Sequence, residues 1–489
     1  MQKNIKNQNI KKNGEVFTPN FLVEIILDSI NYNNSNILKK HIIDNSCGQG
    51  AFLCQIVKRY FIVAKQNNLT NYQIEKDLSN YIHAIEINPH YYKICIEKLN
   101  TLSVSLGLNV KNIIWDILQA DSLLIDKFDG KMDFVVANPP YVRVHNLIKE
   151  NKQNYERLKT RFNFLEQGMA DLYLAFYQKG FEMLKANNKE SKLVYITPNS
   201  WLTSLSGLNL RKYIVERKNL VSLIDLGHLQ PFAPITTYSL IGIFNSSIND
   251  KFTYFQLNNL YSLNKIDNLT IDKISINNNF YLGTNNELEK LKKFLECKTK
   301  LVEVKNGFAT LNDKVFIKNQ LKDFNFFQYL ILAIKASTGK AYVAFFPYLN
   351  GKAISKEKLF ENQKITKYLI ENKNTLLKNT NNSNWYLYGR SQAIKDVYEN
   401  KIAISSIIKN IDDLKLTYAP QKVGVFGGLY IKAKKNYALN FNLIEKILKS
   451  NDFFQYVQNL RKYKKGGFYT FNSKDLEKFL NYKLSNLEF

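Results

Sequence analysis

A chain of 489 residues is longer than one ordinary domain, and its 45% hydrophobic and 13% aromatic content excludes a disordered polymer. The net charge of +26 is unevenly shared: residues 1–250 carry 29 basic and 22 acidic side chains (net +7), residues 251–489 carry 39 and 20 (net +19). A basic surface of that kind suits a polyanion, since each neutralised phosphate releases condensed counterions, although a Lys/Asn/Ile-rich genome would leave the same excess.

The four cysteines, Cys47, Cys54, Cys95 and Cys297, show no CxxC spacing and no Cys/His cluster. No metal site is expected, and free thiols in a reducing cytosol are. Met1–Asn13 is Lys/Asn-rich without an apolar core, unlike a secretory signal, and is expected to be a flexible arm. No apolar run approaches the roughly 20 residues of a membrane span.

In chain order, Phe17-Thr18-Pro19 leads into an apolar helix, with Thr18 expected as its N-cap and Pro19 as its first residue. Short apolar runs follow at 41–44, 81–86, 132–137 and 192–197, separated by helical patterns such as 88–100 and 171–186. This alternation predicts a doubly wound α/β sheet, Rossmann-like, over residues 14–245. Ligands of such sheets bind at the carboxyl ends of the strands. Residues 246–290 are Asn-rich and are expected to form an irregular connection. Residues 291–489 combine aromatic-rich strand candidates, Gly pairs and short helices, which predicts a second, mixed α/β domain.

The first constellation is Asp44-Asn45-Ser46-Cys47-Gly48-Gln49-Gly50, between a strand and a helix. Gly48 and Gly50 let the backbone turn tightly, and the helix start offers N–H groups to an anionic ligand group. The next strand ends in Glu86, 36 residues beyond Gly50, where a carboxylate can accept both hydroxyls of a ribose. Asp121-Ser122 follows another apolar stretch and can meet an adenine amino group. Together these predict a nucleoside cofactor.

The second constellation is Asn138-Pro139-Pro140-Tyr141, directly after a strand. Two prolines remove two N–H donors and stiffen the turn, leaving the Asn138 side-chain oxygen and the Pro139 carbonyl as acceptors. Such a pair suits an exocyclic NH2. Holding both hydrogens frees the nitrogen lone pair for attack, and Tyr141 can stack on the base.

In their order, these motifs resemble those of the gamma-class (N12-type) DNA adenine-N6 methyltransferases, of restriction-modification or solitary type. The resemblance covers residues 14–245 and extends to Asp171–Phe176, Ile196–Leu202 and Gly227–Phe244. It implies S-adenosylmethionine (SAM) as the cofactor, held by Thr18, Asp44, Gly48, Gly50, Glu86, Asp121, Ser122 and Asn138. It implies catalysis by Asn138, Pro139 and Tyr141 on an adenine flipped out of duplex DNA, with Phe232 stacking opposite Tyr141. Cys47 departs from the family pattern and is expected to pack rather than react.

Residues 291–489 are similar, less specifically, to the target-recognition domains of such enzymes. Arg390, Arg461 and Lys464 are candidate phosphate contacts there. A cytoplasmic, nucleoid-associated protein is implied. The same proline turn occurs in enzymes acting on a protein glutamine amide or on RNA, and cytosine-N4 methylation is chemically close, so the turn does not by itself fix the acceptor. The motifs begin at Phe17 and no Pro-Asp…(Asp/Glu)-x-Lys pattern follows them, so no nuclease is expected ahead of or behind them in this sequence. Any cognate endonuclease is expected to be a separate chain, and a solitary methylase is equally open.

Overall fold

The computed structural model describes residues 17–232, 236–258, 261–378, 384–434 and 437–486, the side chains of 144, 145 and 150 excepted. The polar arm expected over residues 1–13 lies outside the described residues. The chain divides into two compact units, Met1–Leu288 and Glu289–Phe489. Among the described residues no helix is long and apolar enough to cross a membrane.

The first unit is built on a nine-stranded sheet. Its strands are β1 (Ile42–Asp44), β2 (Ile82–Glu86), β3 (Asp116–Gln119), β4 (Phe134–Ala137), β5 (Lys192–Pro198), β6 (Leu220–Asp225), β7 (Ser239–Asn245), β8 (Phe252–Leu257) and β9 (Leu263–Leu269), in the spatial order β3-β2-β1-β4-β5-β7-β6-β8-β9. From β3 to β5 all pairings are parallel; β7 then enters antiparallel between β5 and β6. The four apolar runs read from sequence become β1, β2, β4 and β5, and β1, β2 and β4 are buried at every position, as strands covered on both faces must be.

The helices of this unit include α1 (Asn20–Ser29), α2 (Ala51–Gln66), α3 (Asn71–Tyr81), α4 (Pro89–Ser105), α5 (Val144–Glu150), α6 (Lys152–Arg161), α7 (Tyr173–Met183) and α8 (Leu208–Arg217). Their starts follow local chemistry. Asn88 accepts from the amides of His90 and Tyr91, with Pro89 as the first residue of α4. Thr70 and Gln73 form a capping box at α3. Leu22, Val23, Ile26 and Leu27 of α1 are fully buried in the core shared with α2 and β1. Burying each such side chain contributes roughly 1.5–3 kcal/mol.

Two sequence expectations change. Pro19, not Thr18, is the N-cap of α1, and it supplies no side-chain bond; the Thr18 hydroxyl is engaged elsewhere, as described below. Residues 246–290 are not an irregular connection: β8 and β9 extend the sheet, and Phe252, Tyr254 and Leu257 are buried against it. The Asn-rich composition masked a period-two pattern on β8.

The second unit is mixed, as its sequence predicts. One four-stranded sheet joins Val302–Asn306, Leu429–Ala433, Lys401–Ile404 and Leu416–Ala419. Another joins Ile317–Lys318, Lys340–Phe345, Leu330–Lys335 and Gly424–Phe426. An aromatic core including Phe308, Phe316, Phe345 and Tyr388 holds the second of these.

Candidate active site

The carboxyl ends of β1, β2 and β4 open onto two neighbouring cavities of about 250 and 330 Å3, which share Phe17, Ser46, Gly48 and Asn138 in their linings. Asp44 and Thr18 line the first; Glu86, Asp121 and Ser122 line the second. The side chains expected from sequence to hold a cofactor thus converge on one region, with Gly50 just behind it.

The glycine turn is shaped from beneath. Gly48 and Gly50 have φ of 53° and 82°, in the left-handed region that favours glycine. A Cβ on Gly50 would lie 2.8 Å from the Cys95 sulfur, whereas one on Gly48 would meet nothing within 4 Å. Gly50 is therefore needed for helix packing as well as for the turn, and Gly48 keeps the ligand side open. Cys47 is buried with its sulfur 4.0 Å from that of Cys95, and that contact, together with burial, raises its thiol pKa. A packing role fits; a reactive thiolate does not.

Glu86 is fixed by two backbone donors: the Gly48 amide donates to Oε2 and the Asn88 amide to Oε1, each at 2.7 Å. The Gly48 N–H is thereby committed to Glu86, so helix-start donors for a ligand carboxylate must come from beyond it. A carboxylate oxygen can accept more than one hydrogen bond, so these two donors do not prevent a ribose hydroxyl from binding there. Asp121 caps a short 3-10 turn by accepting from the Leu123 amide. Beside it the Ser122 hydroxyl is buried, lines the larger cavity and has no protein partner. A buried hydroxyl left without a partner costs free energy, which a polar ligand atom in that cavity would relieve.

Asp44 is 1% exposed, and burial pushes its carboxyl up to about 8; the Ser46 amide, 3.1 Å away, opposes the shift and the Glu86 charge adds to it. A cationic ligand group would bring that carboxyl back toward ionisation.

At the end of β4, the Asn138 side-chain nitrogen donates to the Thr18 hydroxyl at 3.1 Å, and the Ser46 hydroxyl donates to the Asn138 carbonyl at 3.4 Å. Thr18 therefore orients the Asn138 amide, turning the oxygen edge the other way. Pro139 is buried, and Pro140 lines the larger cavity. The Tyr141 hydroxyl donates to the Ile196 carbonyl at 3.2 Å, pinning the ring beside the end of β5. Phe232 is 4% exposed and meets Tyr141 edge-to-face, with ring centroids 6.3 Å apart and planes at 78°. The pair is brought together, but as a closed contact and not as a parallel slot.

Among the cavity residues not legible from sequence, Ile87 is the most exposed apolar one. Ile87, which follows Glu86, is 65% exposed and lines the larger cavity with Leu123 and Leu172, giving an apolar wall for a flat ring. A single apolar residue after an acid leaves no periodic signal.

In the second unit, Arg390 is exposed beside a larger, polar cavity of about 670 Å3 that has Gly389 and Ser391 in its lining. Arg461 follows the helix Asn451–Asn459, and Lys464 lies on the hairpin strand Tyr463–Lys464. The three candidate phosphate contacts thus sit on separate elements. Among the described residues no cluster of His, Cys, Asp and Glu could hold a metal.

Comparison with known proteins adds the following. Residues 51–232 match the family described as Eco57I restriction-modification methylase. The Type II methyltransferase M.BstVI of Geobacillus stearothermophilus is 29% identical over 254 residues, which cover 49% of this chain and 43% of that protein. The Type II restriction enzyme and methyltransferase RM.Eco57I of Escherichia coli is 23% identical over 501 residues, covering 81% of this chain and 49% of that protein. The chain spans about half, or less, of the length of these relatives. A solved structure of the Type IIL restriction-modification enzyme MmeI in complex with DNA superposes with a TM-score of 0.63 at 12% identity, covering 97% of this chain and 66% of that one, a likeness of fold.

Proposed function

We propose, for a chain whose residues 51–232 match the Eco57I restriction-modification methylase family, a site-specific DNA methyltransferase that transfers a methyl group to the N6 amino group of an adenine flipped out of duplex DNA. The observation that carries this reading is the Asn138 amide, oriented by Thr18 where the two cavities meet and followed by the stiff Pro139-Pro140-Tyr141 turn. The cofactor is S-adenosylmethionine, and when bound it supplies a methyl group on a cationic sulfur. In this reading Glu86 and Asp121-Ser122 hold its ribose and adenine, Ile87 covers the ring, and Asp44 faces its positive charge.

The chain's own part in transfer is positioning. The Asn138 Oδ1 and the Pro139 carbonyl accept the two N6 hydrogens, drawing the nitrogen lone pair out of conjugation and toward the methyl group. One N6 proton leaves to solvent as the new bond forms, so no strong base is required. The Tyr141 ring, pinned through its hydroxyl, offers a face to the base. Because Phe232 closes edge-on against it, Phe232 is the ring that must move for the base to enter. Phe232→Ala is expected to slow methylation about tenfold, the worth of one stacked base. It should also weaken the fluorescence rise of 2-aminopurine placed at the target position; an unchanged rise would remove Phe232 from the pocket.

The second unit is assigned as the target-recognition domain. Its net positive charge supplies phosphate contacts, with Arg390, Arg461 and Lys464 as candidates, and base-edge contacts select the site. A cytoplasmic, DNA-associated location completes the proposal, which leaves a cognate endonuclease on a separate chain and a solitary methylase equally open. Expression of the chain in a methylation-free bacterial genome, followed by mapping of modified bases, tests the whole. N6-methyladenine at one recurring sequence is the expected result. An unmodified genome, or methylcytosine in its place, would rule out the adenine assignment.

A further inference from the structure

Two large apolar side chains stand exposed near the proline turn: Met169 at 79% and Leu205 at 63%. They belong to neighbouring loops. A Cβ on Gly168, whose φ is 62°, would lie 3.5 Å from the Leu205 Cβ and 3.4 Å from the Ser206 nitrogen, so the two loops pack back to back.

Neither loop is slack. Asn209 at the start of α8 donates to the Asn163 carbonyl at 2.6 Å, and Ala170, next to Met169, is fully buried. The Ser204 and Ser206 hydroxyls bond each other at 3.0 Å, and Arg211 donates to the Ser204 carbonyl at 2.8 Å. The chain thus holds two apolar side chains outward on a fixed mount, where an unstructured loop would let them fold back.

Their position ties them to the catalytic turn. Asp171 pairs with Arg143 in an antiparallel bridge, and the Leu172 amide donates to the Val142 carbonyl at 2.9 Å, immediately after Tyr141. Leu172 lines the same cavity as Asn138 and Pro140. Leu172 is three positions after Met169, a reach of at most about 11 Å. Leu205 follows Ser200, whose hydroxyl is 3.2 Å from that of Tyr173, and the Tyr173 ring meets Tyr141 edge-on. The segment leading to Met169, residues 142–170, carries six basic and three acidic side chains, suited to phosphates around an apolar tip.

We infer that Met169 and Leu205 form an apolar wedge that enters the base stack of the duplex and occupies the space vacated by the extruded adenine. The inference rests on the base-flipping reading above. Apolar side chains serve this way where a protein must keep a base step unstacked, because they replace lost stacking without demanding a hydrogen bond. Both are positioning residues: neither touches the reacting atoms.

Once the methylated sequence is known, two duplexes separate the possibilities, one with the target adenine opposite thymine and one with it opposite an abasic site, where extrusion is already cheap. For the double variant Met169→Ala/Leu205→Ala, kcat/KM on the paired duplex is expected to fall roughly 10- to 100-fold. On the abasic duplex it should fall by no more than about threefold, with the calorimetric Kd for SAM unchanged and Met169→Leu near the unaltered chain. Equal losses on the two duplexes, no loss on either, or a changed oligomeric state instead of a kinetic effect would overturn the wedge. An unaltered chain that methylates the site while the variant shows one of those patterns leaves the base-flipping reading standing; an unaltered chain that methylates neither duplex overturns both.

Discussion

Asn138→Ala is expected to slow methyl transfer by roughly 10²- to 10³-fold or more while leaving the affinity for SAM within about threefold. On the proposed function the substitution removes one of the two oxygen acceptors for the target amine, and a preorganised partner of this kind is worth most at the transition state, where the nitrogen lone pair leaves conjugation. The proposed cofactor contacts are spread over the ends of β1, β2 and β3, among Asp44, Glu86, Ile87 and Asp121, so deleting one amide at the end of β4 leaves most of them intact. The loss of the 3.1 Å bond to Thr18 is a smaller effect, because that hydroxyl then borders an open cavity and can meet water. Single-turnover methylation, read with calorimetric SAM binding, checks both halves. Parallel collapse of binding and turnover would assign Asn138 to cofactor binding and not to the acceptor amine.

Asn138 also shows what the sequence could and could not reveal. Its place at the end of an apolar strand was legible, because Phe134–Ala137 is an uninterrupted apolar run stopped by two prolines. Glu86 and Asp44 were legible for the same reason, each ending a short Ile- or Ala-containing run. The hydrogen bonds that orient these groups were not. Thr18 meets Asn138 across 120 residues, and the Gly48 amide meets Glu86 across 38, distances over which local patterns carry no information. Local pattern therefore points Thr18 to a helix cap, a role that threonine before a proline-led helix often fills. Strands β8 and β9 were missed for a different physical reason: β9 is largely exposed, so its side chains need not alternate, and its asparagines mimic a loop.

Binding of SAM should grow tighter with rising pH in a way that depends on Asp44. Burial holds this carboxyl at about 8, so in the free chain near neutral pH it is mostly protonated. A cationic ligand beside it favours the carboxylate, and association then releases a proton. Affinity should rise by up to about tenfold per pH unit between about pH 6 and 7.5 and level off near 8. Isothermal calorimetry in buffers of different ionisation enthalpy counts that proton directly. In Asp44→Asn both the slope and the released proton should vanish, since the amide does not titrate.

The free chain should show the matching stability effect, with the opposite sign of dependence. The folded pKa lies above the unfolded value of about 3.9, so the folded state binds more protons between the two. Stability attributable to Asp44 is accordingly lost as pH rises from about 4 to about 8, by up to about 1.4 kcal/mol per unit. Asp44→Asn escapes this loss, so its melting temperature should exceed that of the unaltered chain by a margin that widens from about pH 5 to pH 8. The same substitution would thus stabilise the empty protein and weaken its hold on the cofactor, the pattern expected where a carboxylate is kept buried for a cationic ligand. A margin that stayed constant with pH would mean that Asp44 is already ionised in the free chain and that cofactor charge does not set its proton.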